Sequence, residues 1–344
     1  AINDVNDDET KILGNNDIDE WQGREQVTAE DIKDLAGALK ECLAGLGDTQ
    51  EAKPVKKKLK KAIRQVEQDF LIRKEKYERY LGMFDGRNSF SKTDPDATFM
   101  RMKEDAMLNG QLKPGYNIQI GCENGFVVGY DIFPNPTDTR TLIPHLENVK
   151  RRLGRQPACV IADAGYGSEE NYAYCDRSKI QAAIKYSMWQ KEQKRSWRKN
   201  RWNTDNWHYD CDSDQYECPM GKRLGFERQA QRRTGAGYNI QVRTYRCHEC
   251  MGCPQRTECC TSNEGRTIQR NEHLLRLKAQ AREFLASPEG TRLMRRRSHE
   301  VETVFGQLKA NQGFRRFRLK GRLKVAVEWG LLALGYNLKQ LMAF

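Results

Sequence analysis

Two acidic residues stand where carboxylates can meet a metal ion, and a basic residue accompanies one of them. Asp163 closes the apolar run ACVIAD and is followed by Ala164, Gly165, Tyr166 and Gly167. The C-terminal end of a buried strand in an open α/β sheet faces the crevice where ligands bind, and glycines there let a ligand approach the backbone. The same place suits a helix N-cap or a turn residue, and position alone leaves the two readings even. Glu302 lies in RRRSHEVETVFGQLKANQGF. With Val301, Val304, Phe305 and Leu308 turned inward, Glu302 falls at the edge of the buried face, and Lys309, two turns on, points the same way. A carboxylate for a divalent cation and an ammonium for a phosphate would then share one side of one helix. An ordinary solvated, Arg-rich helix is the competing reading. Glu300, about 160° away around the helix, is predicted to face solvent.

Sulfur offers a second chemistry. Of eleven cysteines, seven fall between Cys211 and Cys260. In a reducing compartment such clustering favours metal over disulfides. Cys247-x2-Cys250-x2-Cys253-x5-Cys259, preceded by Cys218 in ECPMGK, has zinc-knuckle spacing, and closed four-thiolate sites stabilise small modules that lack a core. Cys218, Cys250, Cys253 and Cys259 are the favoured Zn²⁺ ligands, Cys247 is the alternative fourth, and Cys211 and Cys260 are spare. Reduced, metal-free thiols are the alternative, since neither a histidine pattern nor a second separate C-x2-C anchors the set.

The surrounding elements follow from periodicity. Residues 1–26 read as a loop or disordered segment. Thr28, with Asp31 three residues on, predicts the start of a helix with its stripe at Ile32, Leu35, Leu39, Leu43 and Leu46; a second stripe at Val55, Leu59, Ile63, Val66 and Phe70 runs on through Tyr77 and Leu81. An antiparallel helical hairpin over 27–85 is expected. YNIQIGCE and FVVGYDIF flank Asn124-Gly125, a β-hairpin signal. A helix from Asp138, the ACVIAD strand, a short helix from Ser168 and the strand IQAAIKY then describe a mixed sheet with covering helices, an α/β domain. Between 187 and 270 the pattern is lost and the chain reads as an insertion; helices resume near 272 and 290, and a last one from about Leu323 to Leu341 should pack on the sheet.

Charge is divided unevenly. The net charge is +12, and because residues 1–50 carry 13 acids against 4 bases, their −9 leaves +21 on residues 51–344. A polyanionic partner is expected for the larger part. Arg315, Arg316 and Arg318, with Lys320 and Arg322, follow the glutamate helix and are candidate phosphate contacts; the run WQKEQKRSWRKNRW mixes aromatics for base stacking with cations. The sequence has no run of about 18 apolar residues and its N-terminus lacks a signal-peptide pattern, so a soluble cytoplasmic protein is expected.

Five strings, NSFSKTDPDATFM, LKPGYNIQI, IADAGYGSEENYAY, RRRSHEVETVFGQLKANQGFRRF and EWGLLALGYNLKQL, together resemble the blocks of bacterial insertion-sequence transposases of the acid-triad (DDE) class, closest to the insertion sequence eleven-eighty-two group. The resemblance runs from about residue 27 to residue 344. It implies a ribonuclease-H-like fold: a mixed five-stranded sheet with flanking helices, here with an N-terminal helical hairpin and a Cys-rich insertion. The implied segments are the hairpin 27–85, the first part of the catalytic core 86–186, the zinc-binding insertion 187–270 and the helical second part of the core 271–344. It implies Asp163 as the second acid, Glu302 as the third, Lys309 as the basic residue of the glutamate helix, and Mg²⁺ or Mn²⁺ as cofactor. The activity implied is DNA cleavage and strand transfer at element ends by two-metal phosphoryl transfer. The partners implied are double-stranded DNA, both element ends and target, and a second copy bound to DNA, in the bacterial nucleoid and with no membrane.

One departure stands out. Relatives carry their first aspartate on an early strand of the kind Ile-Asp-Gly-Thr-Lys, which nothing here matches, so a truncated copy lacking that acid is expected. Asp131 in FVVGYDIF is the substitute by pattern; Asp94 and Asp96 of TDPDAT are others, expected instead to cap or orient a helix. A non-catalytic zinc-ribbon DNA-binding protein and an inert remnant are the alternative readings.

Overall fold

The protein is described by a computed structural model covering residues 27–50, 52–102, 110–260 and 262–343; the loop expected for 1–26 lies outside the described residues. The chain divides between Pro95 and Asp96 into two units.

In the first unit, Thr28 caps helix α1 (Ala29–Gly45) by a reciprocal box: its hydroxyl accepts from Asp31 N at 3.2 Å while its own N–H donates to Asp31 Oδ2 at 2.7 Å. Helix α2 (Ala52–Gln65) faces α1, and Ile32, Leu35, Leu39, Val55, Leu59 and Ile63 form one core. A six-residue π-helical segment, Val66–Leu71, leads into α3 (Ile72–Phe84). Three contacts fix the antiparallel sense: Ala29 N donates to Glu78 Oε1 at 2.8 Å, Lys33 pairs with Glu75 at 2.8 Å, and Lys40 pairs with Glu67 at 2.5 Å. The apolar stripe does not continue as the sequence suggested. Phe70, Tyr77 and Leu81 are exposed and α3 buries none of its residues. The π segment inserts extra residues into the helical phase, and each one turns the following face by about 100°.

The second unit holds the candidate site. Strands β1 (Thr98–Arg101) and β2 (Leu112–Gly115) pair antiparallel. β3 (Asn117–Glu123) and β4 (Phe126–Phe133) form the predicted hairpin, with Asn124 at φ 52° and Gly125 at φ 81° in its turn. Positive φ at both central residues is what an Asn-Gly hairpin turn requires. Ile118, Ile120 and Cys122 of β3 face a core of Val304, Leu308, Val325 and Trp329, while Asn117, Gln119 and Gly121, alternating with them, face the opposite way. Helix α4 (Leu142–Leu153) covers that second face: Val149 lies against Gly129 and His145 against Gly121. β5 (Cys159–Ala162) and β6 (Gln181–Ile184) run parallel across the helix α5 (Glu169–Arg177).

Between β6 and the last helices lies a second sheet. β7 (His208–Asp210), β8 (Gln215–Glu217), β9 (Arg223–Arg233), β10 (Asn239–Arg246) and β11 (Thr267–Arg270) make a five-stranded antiparallel sheet in the order β11-β10-β9-β8-β7. Its own core contains Trp207, Tyr216, Leu224, Tyr245 and Ile268. The region read as patternless is therefore a sheet. β9 alternates weakly because charged and polar side chains occupy both of its faces, most of them exposed, and a strand solvated on two sides leaves little period-2 signal.

Helix α6 (Glu272–Ala286) packs Leu277 and Ala281 against the β6 side, and α7 (Pro288–Gly306) begins at Ser287, whose hydroxyl accepts from Gly290 N at 3.0 Å. α7 touches β3, β5 and β6. Helix α8 (Arg322–Leu341) lies on β4, where Asn337 both accepts from Val127 N and donates to Val127 O at 2.9 Å. The described strands give a mixed α/β unit, although β3–β4 and β5–β6 are separate two-stranded sheets and no described strand bonds to both. Among the described residues no helix is long and apolar enough to cross a membrane.

Candidate functional site

Asp163 follows β5, and the structure shows it in its predicted cap role. Oδ1 accepts from Ala164 N at 2.7 Å, capping the single 3-10 turn Ala164–Tyr166, while Oδ2 points to Arg297 Nη1 at 3.8 Å. Arg297, on α7, extends Nη2 to Glu302 Oε1 at 3.4 Å. Two acids from distant parts of the sequence thus converge on one guanidinium. Asp163 and Glu302 are 65% and 63% exposed, whereas Arg297 is only 23% exposed. Oxygen donors open to water suit Mg²⁺, which prefers hard ligands and keeps part of its hydration shell. The pair fits such a cation, with Arg297 as the positive charge now beside it. Among the described residues, no third acid joins the two in a group with ligand atoms within 4.8 Å of one another.

The turn that presents Asp163 is anchored by a polar network absent from the sequence reading. Tyr166 donates to Gln119 Oε1; Gln119 Nε2 donates to Asn117 Oδ1 at 2.8 Å and to Asp138 Oδ1 at 3.1 Å; Asn117 Nδ2 donates to Asp138 Oδ1 at 2.8 Å. Thr139 bonds Gly165 O at 3.2 Å, and Asn171 Nδ2 bonds Tyr166 O at 2.8 Å and Thr139 O at 3.0 Å. Burial, reinforced by the Asp138 charge, pushes the Tyr166 hydroxyl far up, so it acts as a donor throughout the neutral range. The two glycines serve packing rather than ligand approach. A Cβ on Gly167 would lie 2.4 Å from Lys185 O and one on Gly165 would lie 3.2 Å from Asp138 Oδ2.

Several other sequence expectations change. Asp131 is 8% exposed and engaged by His145 Nδ1 at 2.6 Å, Asn148 Nδ2 at 2.9 Å and Arg152 Nη2 at 3.2 Å, all on α4. It pairs across the hairpin with Gln119, on the face turned away from the Val304 and Leu308 core, so it is a structural acid and no partner of Glu302. Asp96 caps α8 through Arg322 N at 2.8 Å. Glu300, expected in solvent, is the less exposed of the two glutamates at 19% and is paired with Arg296, which also donates to Asn124 Oδ1 at 2.7 Å. Glu302 is correspondingly more open than its predicted place at the edge of the buried face. Lys309 sits in a π-helical segment, Gln307–Asn311, with its ammonium 5.3 Å from the Phe305 ring centroid. The π segment shifts Lys309 from the simple two-turn alignment with Glu302.

Arg315, Arg316 and Arg318 are exposed on the connection to α8. Phe314 and Phe317 between them pack on Trp329 with centroids 5.9 and 6.4 Å away. Half-buried rings packed on the buried Trp329 thus fix the backbone that displays the guanidinia. In the Trp-rich run, residues 189–202, Trp189 packs on Tyr186 at 5.6 Å, and Trp202 donates Nε1–H to Glu258 Oε2 at 3.3 Å with the Arg201 guanidinium 4.2 Å from its ring centroid.

Cys218, Cys247, Cys250, Cys253, Cys259 and Cys260 line one cavity beside Trp202 and Trp207. Cys218 Sγ accepts from Lys222 N at 3.3 Å and Cys250 Sγ from Arg266 N at 3.4 Å. Burial pushes the Cys247 thiol up to about 12. The residue set fits a zinc site, but the present rotamers do not close it, since no three of these sulfurs lie within 4.8 Å of one another. Cys260, read as spare, belongs to the cavity wall. Cys211 lies outside it, in the exposed turn Asp210–Asp212, where Asp210 is occupied by Asp212 N and the Ser213 hydroxyl.

Residues 217–342 match the family model for the transposase DDE domain. The match contains Glu302, Lys309, the arginine cluster and every cysteine of the cavity; Asp163 lies before it. The match covers less than half of the chain and shows a likeness to DDE transposases over that segment. No curated protein matches, and no solved structure does.

Proposed function

We propose that this chain is a DNA transposase of the ribonuclease-H-like DDE type in which Asp163 and Glu302 are the second and third catalytic carboxylates and the first is lacking, the family acting on element ends and target DNA as a dimer. The observation that carries the reading is the convergence of these acids on Arg297. Mg²⁺ or Mn²⁺, held by Asp163 Oδ2 and Glu302, would activate a water or 3′-hydroxyl and stabilise the leaving oxygen of an in-line displacement at phosphorus. The chain's own residues supply the rest. The network through Gln119 and Tyr166 holds the Asp163 turn in place, and Arg297, displaced from the acids, is placed to meet a phosphate. Arg315, Arg316, Arg318 and Lys309 hold the backbone of the duplex on the same side of the sequence as Glu302. The cysteine sheet, with its own core, also supports a second reading, a zinc-ribbon DNA-binding protein without catalysis.

The test is Mn²⁺ binding followed by electron paramagnetic resonance, together with nicking of supercoiled DNA in Mg²⁺. Asp163→Asn and Glu302→Gln should each weaken Mn²⁺ binding about tenfold or more and abolish nicking. Unchanged Mn²⁺ binding in both variants, with DNA binding retained, would leave the non-catalytic reading in its place.

A further inference from the structure

Helix α8 is apolar on two opposite sides. Val325, Trp329, Ala333 and Tyr336 are buried in the unit's core. Leu323, Val327, Leu331, Leu334, Leu338 and Leu341 are each more than half exposed. From Val327 onward these exposed residues are spaced alternately four and three apart, the 3.5-residue repeat of a helix seam that packs against another helix. The stripe is about 27 Å long and offers roughly 650 Å² of surface, at the upper end of what monomers usually leave uncovered. If about four fifths of it were buried on each of two copies, the contact would reach the roughly 1,000 Å² of a stable interface. No atom lies within 4 Å of a Cβ placed on Gly335, so the flank of the stripe is open to a close neighbour.

We propose that this face of α8 is the interface between two copies of this chain, with the two helices antiparallel and Leu331 of one opposite Leu334 of the other. The proposal deepens the dimer of the functional reading and rests on it for biological meaning, although the stripe requires no DNA. Charge selects the direction. Lys324 occupies the repeat position of Leu331 and Leu338 one heptad earlier. Parallel helices would set Lys324 against its own copy, whereas antiparallel helices separate the two ammonium groups by about 25 Å, well beyond the screening length.

Sedimentation equilibrium of the whole protein without DNA, at micromolar concentration, tests this. The wild type should be a dimer, and Leu331→Glu should weaken association about tenfold or more with unchanged helix content, because the side chain is exposed. Adding Leu334→Lys to Leu331→Glu should restore the dimer through two Glu–Lys contacts; parallel helices would instead face like charges and stay apart. A monomeric wild type, or a dimer indifferent to both Leu331→Glu and Leu338→Lys, overturns the interface, and failure of the double variant to recover overturns the antiparallel pairing. A monomer whose Mn²⁺ binding still depends on Asp163 would reject the interface and leave the functional reading standing.

Discussion

Arg297 Nη1 stands 3.8 Å from Asp163 Oδ2, and its sister nitrogen stands 3.4 Å from Glu302 Oε1 on Arg297's own helix. Two carboxylates repel each other, and a cation between them offsets the repulsion; a divalent ion would do so more strongly from the same place. Arg297 is thus a competitor that an entering ion would have to displace.

Arg297→Gln should therefore tighten Mn²⁺ binding rather than loosen it. Both acids are more than 60% exposed, and solvent-exposed ion pairs contribute roughly 0.2–1 kcal/mol each. The expected gain is about two- to tenfold, read by Mn²⁺ titration, with DNA affinity reduced as one phosphate contact is lost. Weaker Mn²⁺ binding in this variant would make Arg297 a scaffold for the acids instead.

Gly167 separates packing from chemistry at the same turn. Its Cβ would meet Lys185 O at 2.4 Å and Tyr186 Cα at 2.7 Å, both backbone atoms that cannot rotate aside. Gly167→Ala should cost about 1–3 kcal/mol, as overpacking does, and lower the melting temperature by several degrees in a calorimetric scan. Gly165→Ala meets only the Asp138 side chain and should cost less. Equal melting temperatures for Gly167→Ala and wild type would show that the turn is looser than its contacts imply.

How much of this was legible beforehand depends on whether a local pattern carried the information. Thr28 with Asp31 and Asn124-Gly125 announced their elements because caps and turns are local chemistry. The π segment at Val66–Leu71 gave no such sign, so the exposure of Tyr77 and Leu81 was hidden. Asp131 stood as the substitute first acid because it is a carboxylate in a core hairpin; that α4 supplies three partners for it is tertiary information. Arg297 was one of three consecutive arginines, and only its distances single it out. Gln119 and Tyr166 lie 47 residues apart, with nothing in either neighbourhood to connect them.

Cys175 supplies a pH signature. It is buried beside α5's core partners, and burial, aided by the nearby Cys159, pushes its thiol up from 9.0 to about 11. A folded-state value above the unfolded one gives stability that is fully present below about pH 9 and lost as pH rises through about 11. The full effect is on the order of 2–3 kcal/mol at 1.36 kcal/mol per unit. Urea denaturation between pH 8 and 11, a range set by those two values, should show a decline that Cys175→Ala flattens. The comparison is of slopes, so the cavity left by the substitution does not confound it. An unaltered slope would assign the decline to other groups.

Zinc would reverse that logic at the second sheet. Cys247 is held neutral by burial, yet two neighbouring sulfurs already accept backbone N–H groups. A dication outweighs the desolvation that keeps such thiols protonated, and binding then releases protons. The protein purified under reducing conditions should carry about one zinc per chain by elemental analysis, and Co²⁺ substitution should give the visible absorption of a tetrahedral thiolate site. Because the present rotamers leave the sulfurs apart, loading should also quench the fluorescence of Trp202 and Trp207 as side chains close on the ion. Cys250→Ser should abolish loading, whereas Cys211→Ser, outside the cavity, should leave it intact. Full loading in Cys250→Ser would transfer the ligand role to Cys247 and Cys260, and absence of metal from the wild type would leave the sheet to stand on Trp207, Tyr216 and Tyr245 alone.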